Sequence, residues 1–226
     1  MQIQMIAFDV AGTTVKDDGI VIRAFAKAFS RVVPQLWELK SNEFTEYAIE
    51  TMGQSKIEVF TALLEDVELA KQAAVDFEDA YLELVQDEGV AEMPGASELF
   101  LALRTAGIST ALTTGFSRPT LDAILGRLGW DDLVDFTVTP AEVGLGRPSP
   151  LMLQRAAAEL GVSHPAACVV VGDTQSDMEA ALAFGAGEVV GVLSGAHNRE
   201  TLAGAGATSV VNSVANLKAA LFPQGL

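Results

Sequence analysis

The sequence predicts an α/β fold: a parallel sheet interrupted by a helical insertion. Short apolar runs of about five residues alternate with helical stretches of about ten, which is the pattern of βαβ units. Glycine directly follows several of these helical stretches, as is usual at helix ends. Residues 15–92 break the alternation, because they have helical spacing and no strand signal. We therefore expect a core of residues 1–14 and 93–226, and a helical domain of residues 15–92.

Six apolar segments are predicted to form the strands of the sheet. The first ends at Asp9, where the apolar run is broken by a carboxylate. Runs of this kind, apolar at successive positions, are typical of strands buried on both faces. The segments are Ile3–Phe8, Ser109–Thr113, Val134–Val138, Cys168–Val171, Val189–Val192 and the weaker Ser209–Val211.

Helices are predicted between these strands and throughout the insertion. In the core they are Ala96–Ala106, Ser117–Leu128, Pro150–Leu160, Ser176–Phe184 and Val214–Leu221. In the insertion they are Val21–Val33, Ser55–Leu64 and the acidic Glu68–Asp87. Ligands bind beyond the carboxyl ends of parallel strands. An insertion placed directly after the first strand is therefore positioned to cover a site there, as a lid would.

Composition and charge exclude several classes of partner. The 226 residues include 14 Lys and Arg against 30 Asp and Glu, a net charge of −16, whereas nucleic-acid binding normally shows as a basic surface. The same charge disfavours an anionic membrane surface, and no apolar stretch approaches the ~20 residues that span a bilayer. The one cysteine, Cys168, cannot form an internal disulfide, so a cytoplasmic location is expected.

Polar residues follow four of the predicted strands, at the edge where the carboxyl ends of parallel strands meet. A carboxylate at Asp9, followed by a glycine-containing turn, faces the crevice beside free main-chain N–H groups that bind anions. Asp173 and Asp177 are four residues apart and can present oxygens to one Mg²⁺. The four segments are Asp9–Thr14, Thr113–Gly115, Gly146–Pro148 and Gly172–Asp177.

Each segment taken alone also has a purely structural interpretation. Thr114-Gly115 would simply end a strand, as Thr-Gly often does. Asp9 and the threonines after it would cap a turn. Arg147 would be a solvated surface charge, and Asp177 would cap a helix. Cys168, at the start of an apolar strand, is expected to be a buried, inert thiol.

Taken together and in this order, the four segments resemble the motifs of the haloacid dehalogenase superfamily, whose hydrolases form an aspartyl-phosphate. The resemblance implies a Rossmann-like core with residues 15–92 as its helical cap. It also implies that Asp9 is the nucleophile and that Thr113 and Arg147 hold the phosphoryl group. The implied Mg²⁺ site consists of Asp9, Ala11, Asp173 and Asp177.

Two departures from the superfamily pattern indicate a narrower group. Ala11 stands where most members have a second Asp that protonates an alkoxide leaving group, and Arg147 stands where most have Lys. Both features are similar to the phosphonatase (phosphonoacetaldehyde hydrolase) group. The segment Met52–Ile57 also resembles the M-G-x-x-K of phosphonatase, whose lysine, here Lys56, forms a Schiff base. The implied substrate-binding positions are Ala11, Gly12, Thr13, Met52, Gly53, Thr114 and Gly115.

The chemistry of a C–P bond agrees with this pattern. Cleavage leaves a carbanion, and an iminium on Lys56 accepts those electrons as an enamine. The expected substrate is therefore a 2-oxoalkylphosphonate such as phosphonoacetaldehyde. The histidine, tyrosine and cysteine of phosphonatase correspond here to Val59, Phe116 and Ile20, which leaves the proton transfers and the exact substrate open.

Two alternatives are kept. One is a phosphomonoesterase acting on a small phosphorylated metabolite, and the other is a non-catalytic phosphate-binding regulatory protein. The apolar helix Val21–Val33 corresponds to the first cap helix of phosphonatase-like enzymes. By this resemblance the chain could also form a homodimer.

Overall fold

A central sheet organises the fold in the computed structural model, which describes residues 3–225. Within these residues six strands, all paired in parallel, lie in the order β3-β2-β1-β4-β5-β6. They are β1 (Met5–Asp9), β2 (Ser109–Thr113), β3 (Phe136–Val138), β4 (Cys168–Gly172), β5 (Glu188–Val192) and β6 (Ser209–Val211). The predicted fold class and all six predicted strands are confirmed.

Helices connect these strands and make up most of the insertion. Those of the insertion are α1 (Ile20–Val32), α2 (Pro34–Glu50), α3 (Lys56–Leu64) and α4 (Val67–Glu88). Those of the core are α5 (Ala96–Thr105), α6 (Arg118–Leu128), α7 (Pro140–Val143), α8 (Leu151–Glu159), α9 (Gln175–Phe184), α10 (Arg199–Gly204) and α11 (Leu217–Leu221). No helix in this part of the chain is both long enough and apolar enough to cross a membrane.

In residues 3–225 the structure adds three helices to those predicted, namely α2 and the short α7 and α10, and it divides another. The 17-residue helix α2 has no counterpart in the prediction: Pro34 occupies its first turn, where proline is tolerated, and only Phe44 and Ala48 are buried, so its apolar stripe is weak. The predicted helix Val214–Leu221 is a 3-10 turn, Val214–Asn216, followed by the short α11.

The sheet is buried on both faces, which explains the uninterrupted apolar character of β1. Ile6 and Phe8 pack into one apolar cluster, and Phe8 makes an edge contact with Phe100 at 5.4 Å between ring centroids. Met5 and Ala7 point into the cluster on the opposite face. Side chains alternate in direction along a strand, so both sets are apolar. Asp9 ends this run at the carboxyl edge of the sheet.

The helices of the insertion pack on each other around an aromatic cluster. The rings of Phe25 and Phe60 stack at 4.4 Å, and Phe29 lies 4.7 Å from Phe44, between ring centroids. Two linker segments run side by side between this cluster and the sheet: Lys16 donates its N–H to Ala91 (2.9 Å), and Met93 donates to Thr14 (2.7 Å). We propose that the chain divides into core and cap at this pair of linkers, as the sequence predicts.

Candidate active site

Asp9 lies at the carboxyl end of β1, directly opposite Thr113 at the end of β2. The chain turns sharply after it, and Gly12 takes the left-handed conformation (φ +83°). The Thr14 hydroxyl donates to the main-chain carbonyl of Asp9 (2.9 Å), which fixes the turn. Asp9 is only 5% exposed. The capping role that the sequence left open for these threonines therefore coexists with a buried carboxylate.

Arg147 is the cation of this carboxyl edge. It is 4% exposed, and its Nη1 donates to Asp9 Oδ1 at 2.7 Å and also contacts Asp177 Oδ1. Burial alone would lower the pKa of Arg147, but the two carboxylates outweigh it and hold the pKa above its usual value. Burial raises the pKa of Asp9 to about 6, against the opposing effect of Arg147. The surface-charge interpretation of Arg147 is wrong.

Asp173 and Asp177 follow β4 and meet Asp9 from the neighbouring strand. Asp173 accepts from the Thr13 hydroxyl and from the N–H of Ala196, both at 2.8 Å. Asp177 accepts at Oδ2 from the N–H of Thr174 (3.0 Å), forming a capping box at the start of α9. Its other oxygen faces Arg147. Asp177 thus caps a helix with one oxygen and belongs to the site with the other.

The donor set suits Mg²⁺. One carboxylate oxygen from each of Asp9, Asp173 and Asp177 lies within 4.8 Å of the others, and all three residues are buried. Burial, then the charges of Asp9 and Asp177, raise the pKa of Asp173 well above its usual value. Carboxylate and carbonyl oxygens are the ligands that Mg²⁺ prefers. Ala11, the fourth position implied, has only a main-chain carbonyl to offer.

A cavity of about 440 Å³ opens above the carboxyl edge, between the core and the helices of the insertion. Ten of the predicted site residues line it, from both parts of the chain: Asp9, Ala11, Gly12, Met52, Gly53, Lys56, Thr114, Gly115, Arg147 and Asp173. Thr13, Thr113 and Asp177 are buried but are not part of its wall. At the end of β2, Thr114 therefore reaches the cavity, and Thr113 is packed behind it.

Lys56 is the first residue of α3 and is 7% exposed. Its Nζ lies 5.3 Å from the ring centroid of Phe77, and within residues 3–225 it has no ion-pair partner. Burial, with a smaller contribution from Arg147, lowers the pKa of Lys56 to about 8 against the charges of Glu78, Asp17 and Asp9. An amine of this pKa is partly neutral near pH 7 and can attack a carbonyl carbon.

Close main-chain packing places the Met52–Ile57 segment against the core. Gly53 has φ +86°, and a Cβ there would lie 2.6 Å from Thr174 Oγ1. A Cβ on Gly115 would lie 2.6 Å from the carbonyl oxygen of Gln54. Distances this short require glycine at both positions. The two glycines therefore let the segment before Lys56 and the turns after β2 and β4 approach each other.

Sequence reasoning missed several residues of the cavity. Asp17 lines it from the linker, half-buried, and accepts from the N–H of Val21 (3.0 Å); burial raises its pKa. Gly195 and Ala196 enter from the loop after β5. None of these positions belongs to a motif in the sequence. They reach the site because the linker and the loop after β5 both start at the carboxyl edge of the sheet, where that loop contacts Gly12 and Asp173.

Comparisons with known proteins agree with this geometry. Residues 3–185 match the family model of the haloacid dehalogenase-like hydrolases. A phosphonoacetaldehyde hydrolase of Bacillus cereus is 32% identical over 198 residues, covering 79% of this chain and 72% of the relative. Crystal structures of a hydrolase from Pseudomonas syringae and of a phosphonoacetaldehyde hydrolase-like protein from Oleispira antarctica superpose with TM-scores of 0.85 and 0.81.

Each of these two structures is 24% identical and spans 99% of this chain, while 99% and 92% of their own chains are covered. At this identity they establish the fold, and the family model together with the Bacillus relative establishes the family. This chain belongs to the haloacid dehalogenase-like hydrolases, in the group that resembles phosphonoacetaldehyde hydrolase.

Proposed function

We propose that this hydrolase cleaves the C–P bond of a 2-oxoalkylphosphonate, by way of an imine on Lys56 and an aspartyl-phosphate on Asp9. The observation that carries the proposal is that a buried lysine of lowered pKa lines the same cavity as Asp9 and Arg147. A phosphate ester needs no amine, whereas a phosphonate needs an acceptor for the electrons of its C–P bond.

In the first step the neutral amine of Lys56 attacks the carbonyl carbon of the substrate. The carbinolamine loses water, and the product is an iminium two atoms from phosphorus. Because the pKa of Lys56 is about 8, roughly a tenth of it is neutral at pH 7, against about 0.03% for a lysine at 10.5. Burial therefore raises the reactive fraction about 300-fold.

In the second step a carboxylate oxygen of Asp9 attacks phosphorus in line. The C–P electron pair moves onto the iminium and forms an enamine, while a P–O bond forms to Asp9. Arg147 stabilises the charge on the equatorial oxygens, whereas the N–H groups of Gly12, Thr13 and Thr14 already donate to carbonyls within the turn after β1. Asp9, Asp173 and Asp177, with the Ala11 carbonyl, would hold Mg²⁺, which would supply further positive charge to the phosphoryl group.

Two molecules of water restore the enzyme. One hydrolyses the aspartyl-phosphate to phosphate and free Asp9. The enamine takes a proton at carbon, and the other water hydrolyses the resulting iminium to a methyl ketone or aldehyde and free Lys56. One water was released when the imine formed, so the net reaction consumes one water per C–P bond cleaved.

Two further features favour a phosphonate over a phosphate ester. At position 11, where an acid would protonate an alkoxide, the chain has alanine, and a carbon leaving group stabilised as an enamine does not need that acid. The cavity also has an apolar wall that suits the alkyl part of such a substrate. It consists of Val21, Ile22, Ile49, Met52, Met93 and Phe116.

A phosphate-release assay with Mg²⁺ tests the proposal across 2-oxoalkylphosphonates and phosphate esters. We expect turnover of phosphonates, loss of that turnover in Lys56→Arg, and a cyanoborohydride-trapped adduct on Lys56. Lys71→Arg, at an exposed lysine of α4, is the matched control and should behave as wild type. Turnover of esters alone, with no adduct, would favour the phosphomonoesterase. Phosphate binding without turnover of either class would favour a regulatory protein.

The cytoplasmic location and the homodimer stay predictions.

A further inference from the structure

Three successive residues of the turn after β2 contact the cap. Gly115 faces the carbonyl oxygen of Gln54. Phe116 packs its ring 4.5 Å from that of Tyr81, between centroids. Ser117 bonds to Glu78, which lies one helical turn before Tyr81 on α4. One face of α4 therefore rests on the core segment that connects the cavity wall to helix α6.

Glu78 makes the polar part of this contact with both of its oxygens. The N–H of Ser117 donates to Oε1 (3.2 Å), and the Ser117 hydroxyl donates to Oε2 (2.7 Å). The Thr120 hydroxyl, which is fully buried, also donates to Oε2. Ser117 is the N-cap of α6, so the carboxylate lies at the positive end of that helix. A carboxylate of the helical insertion therefore helps to cap the N-terminus of a core helix.

The same residue lies beside the lysine. Phe77, the neighbour of Glu78 on α4, has its ring 5.3 Å from Lys56 Nζ, and among the carboxylates around Lys56 the charge of Glu78 acts on it most strongly. Glu78 is held by its three donors and forms no ion pair with Lys56. Its contacts with α6 therefore keep α4 against the core, so that Lys56 stays over the phosphoryl site.

We propose that Glu78 is a positioning residue that latches the closed cap onto the N-terminus of α6 and so keeps Lys56 in the cavity with Asp9. The role rests on the proposed function, in which Lys56 and Asp9 act on one substrate. Opening the cap breaks the three hydrogen bonds and separates the two residues. A substrate then binds productively only to the fraction of molecules that are closed.

Kinetics of Glu78→Gln test the latch. The amide keeps the size of the side chain but removes its charge and turns an N–H donor toward the donors of α6. We expect KM for a 2-oxoalkylphosphonate to rise about tenfold while kcat changes less than about twofold, since saturating substrate restores the closed state. Glu83→Gln is the matched control on the same helix, because Glu83 pairs with Arg31 inside the cap. It should leave both constants within twofold of wild type.

A second measurement does not depend on turnover of a phosphonate. Formaldehyde and cyanoborohydride methylate accessible lysines, and mass spectrometry of peptides gives the rate at each one. In Glu78→Gln we expect Lys56 to be methylated about tenfold faster, with the exposed Lys71 unchanged, and amide exchange at Ser117 to rise in parallel. Ser117→Ala should raise the methylation rate of Lys56 by a smaller factor. In the double variant the increase should be less than the product of the two single-variant increases, because both substitutions break the same contact.

The latch would be overturned if Glu78→Gln left the methylation rate of Lys56 and the amide exchange rate of Ser117 at their wild-type values. It would also be overturned if the effects of Glu78→Gln and Ser117→Ala on these rates simply multiplied in the double variant. If no phosphonate is turned over by the unaltered enzyme, the proposed function fails, but the methylation and exchange rates still decide the latch. If the latch fails, wild-type turnover and adduct formation on Lys56 are unaffected.

Discussion

Replacing Lys56 by methionine should make the protein more stable at pH 7. In the folded state burial lowers the pKa of Lys56 from 10.5 to about 8, so the folded protein holds its proton less tightly than the unfolded chain. Between these two values the unfolded chain binds more protons, so the stability of the wild type rises with pH across that window. A methionine has no charge to desolvate and fills similar volume over Phe77.

The magnitude follows from the two pKa values. A fall in pKa from 10.5 to about 8 costs about 3 kcal/mol at pH 7. The cost shrinks to about 1 kcal/mol at pH 9.5, where most folded molecules hold a neutral lysine. We therefore expect Lys56→Met to raise the free energy of unfolding by about 3 kcal/mol at pH 7. The gain should fall by about 2 kcal/mol on going to pH 9.5.

Urea unfolding followed by circular dichroism at both pH values measures this. Lys71→Met is the control: Lys71 is exposed on α4, so its replacement should change the free energy of unfolding by less than about 0.5 kcal/mol. A Lys56→Met variant that is no more stable than wild type at pH 7 would show that the buried lysine does not destabilise the folded state. So would a gain that does not depend on pH, because it would arise from packing alone.

Four further outcomes are expected. The rate of cyanoborohydride trapping on Lys56 should rise about tenfold per pH unit and level off near pH 8, because only the neutral amine reacts. Arg147→Met should lower the free energy of unfolding by about 3–5 kcal/mol in metal-free buffer, since it leaves buried carboxylates without a cation; denaturant titration measures this. Mg²⁺ should raise the melting temperature of wild type, and Asp173→Asn should abolish most of that rise. Gly115→Ala should reduce kcat/KM at least tenfold with little change in melting temperature, because its Cβ would meet Gln54 of the cap.

Each of these outcomes has a result that would contradict it. Trapping that continues to rise up to pH 10 would indicate an ordinary exposed lysine. An Arg147→Met variant as stable as wild type would mean that the carboxylates are screened in another way. An unchanged Mg²⁺ effect in Asp173→Asn would place the ion elsewhere. For Gly115→Ala the matched control is Gly126→Ala within α6, where a Cβ meets nothing closer than 4.0 Å and activity should be kept.

Much of the core could be predicted because its signals are local. An apolar run such as Met5–Phe8 is buried on both faces wherever it sits in the sheet, and Gly129 ends α6 through its own left-handed conformation. The edge of the sheet where Asp9, Arg147 and Asp173 meet also follows from the sequence, because parallel strands present their carboxyl ends on one side. Helix α2 could not be found in this way, since its buried residues are too few to set a period.

The sheet, the helical insertion and the types of residue at the site follow from local sequence patterns. The role of individual residues needed the tertiary structure: Arg147 is buried between Asp9 and Asp177, and Asp177 both caps a helix and faces the site. The burial of Lys56 and the contact of Glu78 with α6 also belong to the tertiary structure. Desolvation and proximity depend on segments far apart in the chain, and no local pattern of residues encodes them.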